Sequence, residues 1–132
     1  MPRIRAWLPS LLLVVGLAGC SSPVTSTTIF DDERTADDEL PAAASTIDGF
    51  VPESSRLLWQ GVDVAYYAAQ GDGDPGTVMC LITVADQQAT AACSARVPIS
   101  SALDGGDEVS FGGETAPGAD WTKRGDFFWS RD

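Results

Sequence analysis

The sequence predicts a small α+β domain, an antiparallel β-sheet with one short N-terminal helix packed on it. Three observations carry this. After Val62, short runs rich in β-branched and aromatic residues recur between Gly- and Asp-rich turns. Just before them, Pro52–Gln60 has the chemistry of a helix start. Near residue 46 the composition changes, from hydroxyl and acidic residues to a mixed apolar sequence. The domain therefore spans 47–132, enough to fold alone around a modest core.

The elements follow in order. In "PESSRLLWQ", Pro52 suits a first helical turn, Glu53 complements the N-terminal dipole, and Arg56, Leu57 and Leu58 propagate a helix up to Gly61. "VDVAYYAAQ" alternates as a strand. Val62, Val64, Tyr66 and Ala68 share one face, and Asp63, Ala65, Tyr67 and Ala69 share the other. Tyr66 and Tyr67 can both be core only if both faces of that strand are covered. "GDGDPG" is a turn. "TVMCLITV" is a continuous apolar run, as a central strand covered on both faces requires. "ADQQA" turns the chain and "TAACSARV" returns. "DEVSF" and two short strands around Gly125 complete the sheet.

With the turn centred between Asp86 and Gln87, cross-strand partners have numbers summing to 173. Cys80 and Cys93 are such a pair, which brings their α-carbons within disulfide range. A Cys80–Cys93 bond is predicted.

The third cysteine, Cys20, closes a different pattern. Arg3 and Arg5 precede an apolar run from Leu11 to Leu17, and small residues follow at Gly16, Ala18 and Gly19. This is a signal-peptide layout, and the run is too short to span a bilayer. Leu17-Ala18-Gly19-Cys20 resembles the lipobox of bacterial lipoproteins. The resemblance implies cleavage between Gly19 and Cys20, removing 1–19, and acylation of Cys20 with palmitate-type chains. Two or three chains hold a protein on a membrane stably, where one does so only marginally. The implied location is the extracytoplasmic face of the cell membrane, with the lipid bilayer as a partner through Cys20.

Residues 20–46 read as a disordered acidic tether. "DDERTADDEL" holds six acids and one base, and large apolar residues are few: Val24, Ile29, Phe30 and Leu40. Such a segment cannot offset its ordering entropy. As a coil it would span roughly 30 Å.

Charge and composition exclude several functions. Lys and Arg total 8 against 19 Asp and Glu, a net charge of −11. That balance repels nucleic acid. The chain has no His, which removes Ser-His-Asp and Cys-His nucleophile systems and His-containing zinc sites. Ser54 and Ser55 have no visible base partner. Lys123 is the one lysine and sits beside Arg124 in a turn. Asp72 and Asp74 have the spacing of the front of a calcium loop, but Thr83 stands where an EF-hand needs its bidentate Glu. No cofactor or metal is expected, and the reading is that the protein is not an enzyme. A hydrolase would need two of the domain's acids about 5–10 Å apart across a cleft.

The aromatic residues leave a binding reading. Most are needed for the core. Tyr67, Trp121, Phe128 and Trp129 are candidates for an outward face that stacks on cell-wall glycan or docks an envelope protein.

The order "SSRLLW…GVDVAYYAAQ…VMCLITV…AACS…DWTKRGDFFWSRD" also resembles a family of small uncharacterised extracytoplasmic domains of Gram-positive bacteria. It implies one disulfide-bonded extracellular domain and adds no catalytic residue or ligand. The expectation is a membrane-anchored lipoprotein presenting a non-enzymatic interaction module. The alternatives are a cell-wall glycan-binding module and a carboxylate-dependent hydrolase.

Overall fold

The computed structural model describes residues 22–23, 28–102 and 107–132. The expected signal sequence, with Gly19 and Cys20, lies outside the described residues, as does "LDGG". The architecture is mostly antiparallel β, with short 3-10 turns as the helical part of the described chain. Among the described residues there are ten strands: β1 (Ser22–Pro23), β2 (Arg56–Gln60), β3 (Val64–Gln70), β4 (Met79–Ala85), β5 (Gln88–Ser94), β6 (Arg96–Val97), β7 (Ile99–Ala102), β8 (Glu108–Phe111), β9 (Thr122–Gly125) and β10 (Phe128–Arg131).

Two four-stranded sheets form, in the orders β2-β3-β4-β5 and β7-β8-β10-β9, and β1 pairs with β6. The two large sheets pack face to face, with β5 beside β7 and β2 beside β9. Tyr66, Ala68, Met79 and Leu81 from the first sheet meet Val97, Ile99, Val109, Phe111 and Phe128 from the second side. The chain crosses between the sheets through β6 and Pro98.

The first sheet has a second cover. Ala44 and Phe50, with Leu40 and Ile47 beside them, pack on Ala65, Tyr67, Ala69, Cys80 and Ile82. The sheet therefore lies between two apolar layers. This is why β4 reads as a continuous apolar run, and why Tyr66 and Tyr67 are both buried on opposite faces.

That cover corrects the tether. The segment expected to be disordered packs on the domain from Ile29 to Thr46, in 3-10 turns at Ile29–Asp31, Ala36–Asp38 and Ala42–Thr46. Its described apolar residues are put to use: Ile29 and Phe30 pack at one core, Leu40 and Ala44 at the other. Its polar residues find partners on β2, described below.

The helix expected over Pro52–Gln60 is also corrected. Pro52 and Glu53 do start a helical turn, but it ends at Ser54, and Arg56–Gln60 is strand β2. A nine-residue helix is marginal by itself. Pairing with β3 buries Leu58 and satisfies the backbone, so tertiary structure overrides propensity. A register shift between Leu57 and Trp59 sends Leu57 to one core and Leu58 and Trp59 to the other.

The β4–β5 hairpin matches its prediction. Its register runs from Met79↔Ser94 to Ala85↔Gln88 and places Cys80 opposite Cys93. Asp86 and Gln87 both have positive φ, 49° and 64°, the two-residue turn whose twist suits a hairpin. The final hairpin turns at Asp126–Phe127, just after Gly125.

Candidate functional site

Cys80 and Cys93 are joined by a disulfide, with α-carbons 4.0 Å apart. A two-residue turn makes Ala85 and Gln88 a hydrogen-bonded pair, so alternation puts Cys80 and Cys93 in a non-hydrogen-bonded pair, the closer kind. Cys80 is fully buried while Cys93 is exposed. The bond fastens the edge strand β5 to the centre of the sheet.

The aromatic binding face is not assembled as expected. Tyr67 is 4% exposed and Phe128 0%. Tyr67 belongs to the core beneath Phe50, and Phe128 packs 5.1 Å from Tyr66 between the sheets. Burial, and then Asp37 and Asp38, hold the Tyr67 phenol above its ordinary pKa, so it stays neutral. The reason is the same for both corrections. Each residue lies on a sheet face that the sequence reading left open and the fold covers.

Trp121 and Trp129 remain half-exposed. Trp129 donates its indole N–H to the Gly113 carbonyl at 3.2 Å, which fixes the ring. Trp121 lies under the Arg131 guanidinium, 5.1 Å from the ring centroid. Arg131 is itself held by Glu108 and, at 3.3 Å, by Asp120. Beside Trp121 runs a shallow groove of about 330 Å³ lined by Ser100, Ser101, Ala102 and Glu108.

Trp59 was not singled out by the sequence, yet it is the centre of an aromatic stack. Its ring lies parallel to Tyr66, 6.0 Å away, and Arg124 covers it at 4.9 Å. Arg124 also donates from Nε to the buried Ser130 hydroxyl at 2.9 Å. Arg124→Ala is expected to cost about 1 kcal/mol through the lost cation–π contact and hydrogen bond. Urea denaturation followed by tryptophan fluorescence measures it, and an unchanged midpoint would assign Arg124 no structural role.

A polar cluster joins the N-terminal segment to β2. Asp38 Oδ1 accepts the Leu57 N–H at 2.7 Å, and Oδ2 accepts the Thr35 N–H at 2.8 Å and the Thr35 hydroxyl at 3.2 Å. The Ser55 hydroxyl donates to the Asp38 carbonyl at 2.5 Å. Arg34 donates to the Ser55 hydroxyl at 3.0 Å and to its carbonyl at 3.3 Å. Arg56 reaches back to the Asp32 carbonyl at 3.0 Å. Burial pushes the Asp38 carboxyl up, but the hydrogen bonds from Thr35 and Leu57, with the Arg56 charge, outweigh it and hold its pKa below the ordinary value. The contacts that tie the segment to β2 span 17 to 24 residues, so no local pattern announces them, whereas the Thr35–Asp38 pair is a local capping box three residues long.

Beside the cluster are two grooves of about 320 Å³ each. One is lined by Arg34, Glu39, Leu40, Ile47 and Pro52, the other by Asp32, Glu33, Asp38, Arg56 and Asp126. In the second, Asp38 is committed to holding the fold together. Ser54 and Ser55 are likewise taken up as backbone partners: Ser54 donates to the Val51 carbonyl and accepts the Gln70 N–H. Asp72 and Asp74 are exposed on the β3–β4 turn, and no group of metal-ligating side chains forms among the described residues. Nor, among them, is any helix long and apolar enough to cross a membrane.

Comparison with models of known protein families, with curated proteins and with solved structures finds no match.

Proposed function

We propose that the protein is a lipid-anchored, extracytoplasmic interaction module without catalytic activity. The observation that carries this is Leu17-Ala18-Gly19-Cys20 at the end of a basic and then apolar leader. Acylation at Cys20 would place a rigid disulfide-bonded head on the outer face of the membrane, where such bonds persist. The mature chain, after loss of Arg3 and Arg5, has 6 basic and 19 acidic residues. An envelope protein with a basic surface is the partner that this charge favours. The absence of His, and the use of Asp38, Ser54 and Ser55 as structural partners, support the non-enzymatic reading.

Cys20→Ala is expected to move the protein from the membrane fraction to the soluble fraction and to abolish incorporation of labelled palmitate. Retention of the variant in membranes after a high-salt wash would refute the anchor. Loss of label without release would assign the membrane attachment to another part of the chain.

A second reading is favoured by Trp121. Its half-exposed ring borders a groove with two serines, the combination that stacks on a sugar and bonds its hydroxyls. Cosedimentation with purified cell wall tests it. Depletion from the supernatant that is lost in Trp121→Ala would support glycan binding, and no depletion would dismiss it.

A further inference from the structure

By composition residues 20–46 read as a tether of roughly 30 Å. The fold takes up much of that length. Ile29 to Thr46 is docked, and before it Ser22 and Pro23 form β1, which pairs antiparallel with β6. Ser22 faces Val97 and Pro23 faces Arg96. One residue, Ser21, separates Cys20 from β1. The Cys20 α-carbon therefore lies within about 7 Å of that of Ser22, whatever path the backbone takes. Val97 in turn is fixed. It is buried in the core between the sheets, and Gly112 lies so close to it that a Cβ there would have no room.

Strand β6 stands at one end of the sandwich. Strand β5 ends at Ser94, opposite Met79 where β4 begins, so the β3–β4 turn lies at the same end. Ile99, where β7 begins, pairs with Phe111, and Gly113 just beyond approaches Pro98. The opposite end carries the β2–β3 and β4–β5 turns, with Val62 in one and Asp86 in the other. Strands of 7 residues put about 23 Å between the two ends.

We infer that the β6 end of the sandwich is the surface that the head turns to the lipid bilayer, held at headgroup level by its short connection to Cys20. This rests on the acylation of Cys20 proposed above. Acyl chains on Cys20 enter the hydrocarbon, which keeps the Cys20 backbone at the headgroups and β6 beside them. Charge alone would not choose this end. Asp72, Asp74 and Glu114 are exposed there, and anionic lipid repels them. The length of the connection chooses it. Arg96 is the basic group placed to meet a lipid phosphate. It is exposed, alternates away from the buried Val97, and makes no ion pair among the described residues. The far end is left facing the envelope, with Val62 97% exposed and Asp63 and Asp86 exposed as well.

The test uses the full acylated chain, purified from membranes with its disulfide intact. It is reconstituted in vesicles of phosphatidylcholine and phosphatidylglycerol that carry a lipid with a nitroxide on its headgroup. A fluorophore is attached at Thr115→Cys, two residues beyond Gly113, or at Val62→Cys, both exposed positions. The Thr115 label is expected to be quenched about threefold or more over the Val62 label, since nitroxide quenching is short in range against the about 23 Å between the ends. A flexible Gly/Ser spacer of about 12 residues inserted between Ser21 and Ser22 adds roughly 20 Å of reach. It should erase the difference while the protein stays on the vesicles. Arg96→Glu should roughly halve the quenching of the Thr115 label, because attraction to phosphate becomes repulsion. Unchanged quenching in that variant overturns the phosphate contact. Equal quenching of the two labels in acylated protein overturns the lipid-facing surface and leaves the anchor standing. A difference that survives the spacer also overturns it, since the orientation would then not come from the connection to Cys20. Mass spectrometry reads the acyl group, and its absence from Cys20 overturns the anchor and this inference with it.

Discussion

Replacing Cys80 and Cys93 together with Ala is expected to lower the stability of the head by about 3 kcal/mol. The two half-cystines are 13 positions apart, and closing a loop of that size removes chain entropy from the unfolded state. For a domain this small, each kcal/mol moves the melting temperature by roughly 4–8 °C, so a drop of roughly 12–24 °C is expected. Stabilities of single domains run at about 5–15 kcal/mol, which makes this one bond a large fraction of the whole. The loss is local as well as global. Without the bond β5 is an edge strand held by one ladder and by small side chains, Ala89, Ala91 and Ala92, which bury little apolar area. Thermal denaturation of the double variant measures the drop, and wild type under reductant should show the same one. A melting temperature unchanged in both would mean that packing of Ile82 and Leu81 alone holds the hairpin.

The hairpin was legible because its determinants are local. A two-residue turn between Asp86 and Gln87 fixes every pair in β4–β5, including Cys80–Cys93. The alternation of β3 was legible for the same reason. What it left open was whether Tyr67 faced water, because that depends on a layer supplied by residues far away in sequence. The segment from Ile29 to Phe50 supplies it. By composition that stretch reads as a tether, since acids and hydroxyls dominate and apolar residues are scattered. Its docking depends on placement: Leu40 and Ile47 onto the sheet, Asp38 onto Leu57, Arg34 onto Ser55. Phe128 was misplaced by the same kind of ignorance, as no local signal tells which side of β10 meets the other sheet. The helix at Pro52–Gln60 failed because local propensity was asked to decide a segment that β3 decides. Of the proposed site, the lipobox-like Leu17-Ala18-Gly19-Cys20 is a contiguous stretch, so its resemblance needs no fold to be seen. The arginine-covered faces of Trp59 and Trp121 needed the fold to bring Arg124 and Arg131 to them.

Asp38 is where the docked segment is most exposed to a single change. Its carboxylate satisfies two backbone N–H groups, Thr35 and Leu57, and one hydroxyl, and it does so at 9% exposure. Asp38→Ala leaves those donors without a protein partner in a partly buried site. A charged hydrogen bond contributes about 1.5–3 kcal/mol, so a loss of about 3 kcal/mol is expected for the set. The loss should fall first on the segment itself: its departure uncovers Ala65, Tyr67, Ala69 and Ile82, an apolar face that a hydrophobic dye would bind. The pH dependence has a definite sign. The folded pKa is lowered from 3.8, so the folded state prefers the ionised form. The stabilisation is fully present above the unfolded pKa and is lost as pH falls through the lowered folded value. Wild type should therefore release the segment in acid below about pH 4, reported by dye binding and by faster amide exchange at Leu57. Asp38→Asn keeps the shape but has no charge to titrate, and it should be weaker at neutral pH with this acid step removed. An acid step that persists unchanged in Asp38→Asn would assign it to another carboxylate. Dye binding equal to wild type in Asp38→Ala would mean that Leu40, Ala44 and Phe50 hold the segment by packing alone.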